Sequence, residues 1–194
     1  MSLPGGAADK IGNRYEMRWT LLCIIEIMNE RADSIRLEPP GTEGEGVEFC
    51  LRKGAIREYH QVKRQNSASG RWTLTDLAGE GVLKTFLDKL NDPGAWCVFV
   101  SADSAFELKD LSQRSRDASS WNEFEKEFLK DNTHSTTFSK LRNHWAGHSR
   151  ENVFELLKRL RIETISEDLL ITTGESLLAC IPGLSKSYRT LTIT

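Results

Sequence analysis

The run "AWCVFVS" at 95–101 constrains the fold more than any other stretch. It is continuously apolar, rich in β-branched residues and of strand length, and "NDPG" stops the chain just before it, so it reads as a strand buried on both faces. Such a strand needs helices above and below its sheet, and the flanking sequence supplies them. From Lys10 to about Arg31, Ile11, Tyr15, Trp19 and Leu22 recur at helical spacing, joined by Ile24, Ile25, Ile27 and Met28, which predicts a long core-facing helix. From Thr75, a plausible N-cap, to Leu90, the positions Leu77, Val82, Leu83, Phe86, Leu87 and Leu90 predict an amphipathic helix. Residues 34–38 read as a short strand ended by "PPGTEGEG", and 46–51 with 56–63 as a hairpin turning at "RKGA". The order helix, strand, hairpin, helix, strand predicts an α/β fold: a mixed sheet flanked by helices.

After Ser104 the pattern turns mostly helical, with a short strand near 161–165 and one more helix in "SEDLLITTGESLLACI". The expected organisation is a core over 1–105 and a mainly helical C-terminal extension over 106–194 packed on it, with one continuous domain as the alternative. The stripe Trp121, Phe124, Phe128 reads as packing between helices. "GGAAD" reads as a flexible lead-in with Asp9 as N-cap. The ending "TLTIT" carries no stop signal, which suggests that it abuts a partner element or continues into a longer protein.

At 194 residues, 39% of them hydrophobic and 28% charged, the chain has the make-up of an ordinary globular protein. No run approaches the roughly 18 apolar residues of a membrane span, and the N-terminus has no secretory pattern, so a cytoplasmic protein without a membrane role is expected. Cys23, Cys50, Cys97 and Cys180 lie far apart in apolar contexts and read as reduced structural thiols. A net charge of −2 excludes a protein coated in nucleic-acid-binding charge but not a local basic site. Arg52, Lys53, Arg57, Lys63, Arg64 and Arg71 cluster in the first half, whereas Asn122 to Asp131 leans acidic. A polyanion is therefore expected to meet the first half.

The hairpin carries polar groups where a core strand would carry more valine: Glu48 in one arm, Gln61 and Lys63 in the other. Side chains alternate along a strand, so Gln61 and Lys63 share a face and His60 takes the opposite one, where packing or hydrogen bonding is its expected role. The register of the turn decides whether Glu48 joins the first two. A carboxylate, an amide and a lysine at one point suit phosphodiester hydrolysis: Mg²⁺ takes oxygen ligands and keeps several waters, and a lysine beside it orients or deprotonates water and offsets phosphate charge. The plainer alternative is a cross-strand Glu48–Lys63 ion pair, worth about 0.2–1 kcal/mol. Arg64, Arg71 and Trp72 follow in a loop suited to backbone phosphates, or serve as loop charges and a core anchor. A rival site is "HWAGH", with His144 and His148 at the spacing of two zinc ligands on a helix, though Gly147 weakens such a helix. No Gly-rich phosphate loop followed by lysine occurs, so the chain does not itself read as an NTPase.

"GVEF" with "EYHQVKRQ" resembles the core of PD-(D/E)XK nucleases, in the Mrr-like branch that replaces the second acid with glutamine and ends in QxK. "GNRYE" is similar to the start of Mrr-type domains. "PGGAADKIGNRYEMRWTLL", "HQVKRQ" and "CVFVSADSAFEL" resemble the N-terminal endonuclease domain of bacterial antiphage effectors, over about residues 5–105. The resemblance implies a restriction-endonuclease-like fold and a DNA endonuclease of low sequence preference using Mg²⁺ or Mn²⁺. It implies Glu48 as metal-binding acid, Gln61 as second-strand metal ligand, Lys63 as catalytic lysine and Glu16 as a helix carboxylate holding metal or water. Arg64, Arg71 and Lys53 are the candidate nucleic-acid contacts. Glu48 stands where the family has aspartate, Val47 where it has proline, and glutamine for the second acid implies weaker metal binding. The resemblance further implies activation by homo-oligomerisation or by an attached sensor or NTPase module. The alternative is a catalytically inactive nucleic-acid-binding or oligomerisation module of a larger defence protein.

Overall fold

The computed structural model describes residues 5–65 and 69–181. Helix α1 spans Gly5–Met28, followed by strands β1 (Ser34–Leu37), β2 (Phe49–Lys53) and β3 (Ile56–Lys63). Then come α2 (Leu74–Gly79), α3 (Val82–Leu90), β4 (Ala95–Ser101) and α4 (Phe106–Asp117). A short α5 (Trp121–Glu123) runs into a π-helical turn at Phe124–Phe128. The chain continues through α6 (Asn132–His144), α7 (Arg150–Lys158), β5 (Leu160–Thr164) and α8 (Glu167–Ala179). The expected α/β fold is thus present, a mixed five-stranded sheet flanked by helices with a mainly helical C-terminal part. The tail "TLTIT" lies outside the described residues.

The strands lie side by side in sequence order, β1 and β2 and β3 antiparallel, β3, β4 and β5 parallel. The strand expected near 161–165 completes the sheet, so the C-terminal half contributes a strand as well as helices. β4 divides its side chains between two cores: Cys97 and Phe99 face a layer containing Phe86, Phe124, Phe138, Trp145 and Phe154, while Val98 and Val100 face Tyr15, Ile25, Phe49 and Leu170. That is the double burial its unbroken apolar sequence demanded. Trp121 and Phe124 sit in the first core, with the Phe124 and Phe154 ring centroids 5.1 Å apart, as expected of the aromatic stripe.

Several expectations shift. Asp9 lies inside α1, which begins at Gly5, because Ala7 and Ala8 are strong helix formers and carry the helix past the lead-in. The helix expected over 75–90 is two helices. Thr73 caps the first in a capping box with Asp76, and the chain breaks at Gly81, whose φ of 74° is the left-handed conformation glycine adopts at little cost. Cys23, Cys50 and Cys97 are buried free thiols, but Cys180 is exposed at the end of α8. Among the described residues no helix is long and apolar enough to cross a membrane.

Strand direction defines one functional edge. The carboxyl ends of β1, β3, β4 and β5 and the start of β2 all emerge on the same side of the sheet, the side where ligands bind in open α/β sheets. Glu38, Glu48, Lys63, Ser101 and Ile165 are therefore brought to one edge, and the "RKGA" turn to the other.

Candidate active site

The hairpin ladder begins at Phe49, so Glu48 lies just outside it. Phe49 pairs with His60, and Glu48 bulges out of register beside it, next to Phe49 and α1 rather than across a shared face from Gln61 and Lys63. The backbone N–H of Glu48 donates to the His60 carbonyl at 2.9 Å, and its carboxylate accepts from the Val62 N–H at 3.0 Å. The acid is thereby fastened to the strand carrying the amide and the lysine. The approach is set one turn earlier. Gly46 has φ 71°, and a Cβ there would meet Thr85 Oγ1 at 2.4 Å, so only glycine lets the chain pass against α3 before Val47 and Glu48.

Electrostatics couple these groups. Burial pushes the Glu48 carboxyl up to about 7; the Val62 N–H and Lys63 oppose that shift, and Glu16 adds to it. Burial also raises Glu16, with Glu38 adding to the rise and Lys63 opposing it. Glu16, Glu38 and Glu48 wall an open cleft of about 400 Å³ together with Asn13, Thr20 and the exposed Met17. Gln61 and Lys63 do not wall it; Lys63 reaches both glutamates through its field. Gln61 is 4% exposed, and among the described residues its Oε1 accepts no hydrogen bond. An orphaned buried acceptor costs about 1–3 kcal/mol, which a cation or its bound water would relieve.

The donor set meets a divalent ion's needs only in part. Two carboxylates and one amide oxygen suit a hard cation that keeps most of its waters. Among the described residues, however, no three His, Cys, Asp or Glu side chains lie close enough together to hold a metal ion by themselves. The set fits Mg²⁺ or Mn²⁺ only if Gln61 supplies an oxygen and water or phosphate completes the shell.

The remaining sequence candidates separate. Arg64 follows Lys63, and exposed Arg71 is bridged by its backbone to Ser104, three residues past the Ser101 that pairs with Lys63; both arginines lie at the functional edge. Trp72 is a core anchor, its Nε1 donating to Ser101 Oγ at 2.8 Å and its ring set edge-on to Phe99. Lys53 lies at the opposite end of the hairpin, paired with Ile56, and its Nζ is 3.1 Å from Glu58 Oε2. The structure therefore does not bring it to the other nucleic-acid candidates. His60 is fully buried, stacked on Phe49 at 4.4 Å and accepting at Nδ1 from Trp19 Nε1 at 3.0 Å. The His144–His148 pair is not a helical zinc pair: α6 ends at His144, Trp145 is buried with Nε1 bonded to the Leu83 carbonyl, and Gly147 is left-handed.

Sequence reasoning missed Glu38. Its φ of 42° puts a non-glycine residue in the left-handed region, and its N–H donates to the Glu48 carbonyl at 3.0 Å. The only sequence signal is its position before two prolines, which marks a bend but no site.

No protein-family model matches this sequence, and no curated protein matches it. Among solved structures, the Cap4 SAVED/CARF-domain containing receptor of Moraxella osloensis is similar, with a TM-score of 0.52 and 14% identity over 94% of this chain and 41% of that one. At that identity the likeness concerns the fold. This chain spans less than half of the receptor's length.

Proposed function

We propose that this chain is a Mg²⁺- or Mn²⁺-dependent DNA endonuclease, a restriction-endonuclease-like domain of the Mrr-like QxK type, and the effector part of a cytoplasmic bacterial defence protein. The observation that carries the reading is the fastening of the Glu48 carboxylate to the strand that holds Gln61 and Lys63, where the buried Gln61 oxygen accepts no hydrogen bond among the described residues. A bound divalent cation supplies Lewis-acid stabilisation of phosphate charge and an activated water. Glu48, Gln61 and Glu16 are the residues to hold it. Lys63 orients the attacking water and offsets charge on the phosphate, while Arg64 and Arg71 hold flanking phosphates without reading sequence. The likeness to a Cap4 receptor supports the defence context and an attached sensor module in the whole protein.

A second reading, a catalytically inactive nucleic-acid-binding module, is favoured by the lack of a three-ligand group of acids, histidines or cysteines among the described residues. Supercoiled plasmid with Mg²⁺ or Mn²⁺ separates the two. Cleavage by the wild type, lost in both Glu48→Ala and Lys63→Ala, is expected; cleavage unchanged in both variants refutes the residue assignment, and DNA binding without any cleavage favours the inactive module.

A further inference from the structure

Beside the candidate site, three arginines from two elements converge on one carboxylate. Glu167, the first residue of α8, accepts from Arg14 Nε at 2.8 Å and from the Arg18 guanidinium, and Arg64 Nε lies 3.6 Å away. Arg14 and Arg18 stand one turn apart on α1 and bracket Tyr15, whose hydroxyl donates to the Ile165 carbonyl at 2.8 Å, holding α1 against the turn from β5 into α8. The cluster is thus built into the junction of three elements at the functional edge.

Its charge does not balance. Three guanidiniums share Glu167, and even with Asp103, which is near enough to act on Tyr15, a positive surplus remains. The three differ in access: the side chain of Arg18 is 14% exposed, that of Arg64 33% and that of Arg14 53%. Arg18 is therefore the fixed member, and Arg14 and Arg64 have room to turn toward a ligand. Guanidinium groups accept carboxylate and phosphate oxygens in the same fork geometry. Arg64 is joined directly to Lys63, so the cluster lies one residue along the chain from the candidate site.

Resting on the nuclease reading, we propose that Arg14, Arg18 and Arg64 form a phosphate-backbone clamp for the nucleic-acid strand, and that Glu167 is an internal stand-in for the phosphate that the strand displaces from Arg14 and Arg64. The clamp positions and carries no sequence information. Glu167 restrains it: with the carboxylate in place, binding must first break ion pairs that are already satisfied.

The test is duplex-DNA affinity against NaCl concentration, read by fluorescence anisotropy in the Glu48→Gln background so that cleavage does not intervene. Arg14→Gln and Arg64→Gln are each expected to reduce the log–log salt slope by about 0.9, the value for one lost phosphate contact to duplex DNA. Glu167→Gln is expected to tighten binding about threefold or more, with melting curves establishing that each variant is folded. Unchanged salt slopes in both arginine variants, or weaker binding by folded Glu167→Gln, overturn the clamp. Orthophosphate at matched ionic strength is expected to compete no better than chloride; strong competition would mean a free-phosphate site and overturn the strand clamp. Wild-type cleavage with unchanged slopes removes the clamp alone, whereas the expected slopes without any wild-type cleavage remove the nuclease reading alone.

Discussion

The carboxylate of Glu48 accepts a hydrogen bond from the backbone N–H of Val62 at 3.0 Å, tying the acid of one hairpin arm to the strand between Gln61 and Lys63. A side chain one methylene shorter cannot keep this bond from the same backbone position. Glu48→Asp is therefore expected to lose a charge-assisted contact worth about 1.5–3 kcal/mol, seen as a roughly 10- to 100-fold fall in plasmid cleavage rate. Cleavage at the wild-type rate by Glu48→Asp would show that the bond does not position the acid.

The same acid makes stability depend on pH. Burial raises Glu48 from its ordinary 4.5 to about 7, so between those values the folded protein holds a proton that the unfolded chain releases. Stability contributed by this group falls as pH rises through that window, by up to about 3 kcal/mol at roughly 1.4 kcal/mol per pH unit. Urea unfolding in EDTA at pH 5 and pH 8 should show wild type losing about that much more than Glu48→Gln across the interval. Parallel losses in the two proteins would contradict the buried placement of the carboxylate.

Glu38 closes the cleft from a backbone conformation that side chains resist, at a cost of about 1–2 kcal/mol for a non-glycine residue. Glu38→Gly removes that strain while loosening the unfolded chain, and is expected to remain within about 1 kcal/mol of wild type in chemical denaturation. Glu38→Val, β-branched at positive φ, should be destabilised by about 2 kcal/mol. Because Glu38 helps to raise Glu16, carboxyl-carbon NMR of Glu38→Gln should show Glu16 titrating at lower pH. A Glu16 titration unmoved by that change would separate the two acids.

Lys53 belongs to a structural network. Burial alone would raise Glu58, but His60, Arg161 and Lys53 together bring it down to about 2. This depressed acid adds stability above its ordinary 4.5, lost as pH falls toward 2. Lys53 and Arg161 are 28% and 38% exposed, so Glu58→Ala should cost roughly 2–3 kcal/mol, less than for a fully buried pair. Lys53→Ala should leave DNA affinity unchanged, since seven strand steps of about 3.3 Å separate Ile56, its partner, from Lys63. A weakened DNA complex in Lys53→Ala would place the nucleic-acid path across both ends of the hairpin.

How much of this was legible in sequence depended on whether the signal was local. The double burial of 95–101 and the opposed faces of His60 and Gln61 follow from period-2 alternation, and both are seen. The break at Gly81 was hidden because Leu77, Val82 and Phe86 keep helical spacing across it; only the backbone shows that the chain turns there. The placement of Glu48 depended on the turn at Gly54 and Ala55 and on the bulge at Glu48 and Phe49, and period-2 alternation shows neither how many residues a turn consumes nor where a strand slips. Glu38 and the Arg14–Arg18–Glu167 cluster are products of strand order and of α8 folding back onto α1, contacts about 150 residues apart that no local pattern encodes.

Anomalous diffraction from crystals soaked in Mn²⁺ bears most directly on whether Glu48 and Gln61 share a divalent cation. The expected result is a peak within about 2–2.5 Å of an oxygen of each, with Lys63 beside its water shell, since oxygen ligands hold such ions at that range. A well-occupied Mn²⁺ elsewhere on the chain, with Gln61 Oε1 still unliganded, would contradict the metal-dependent mechanism.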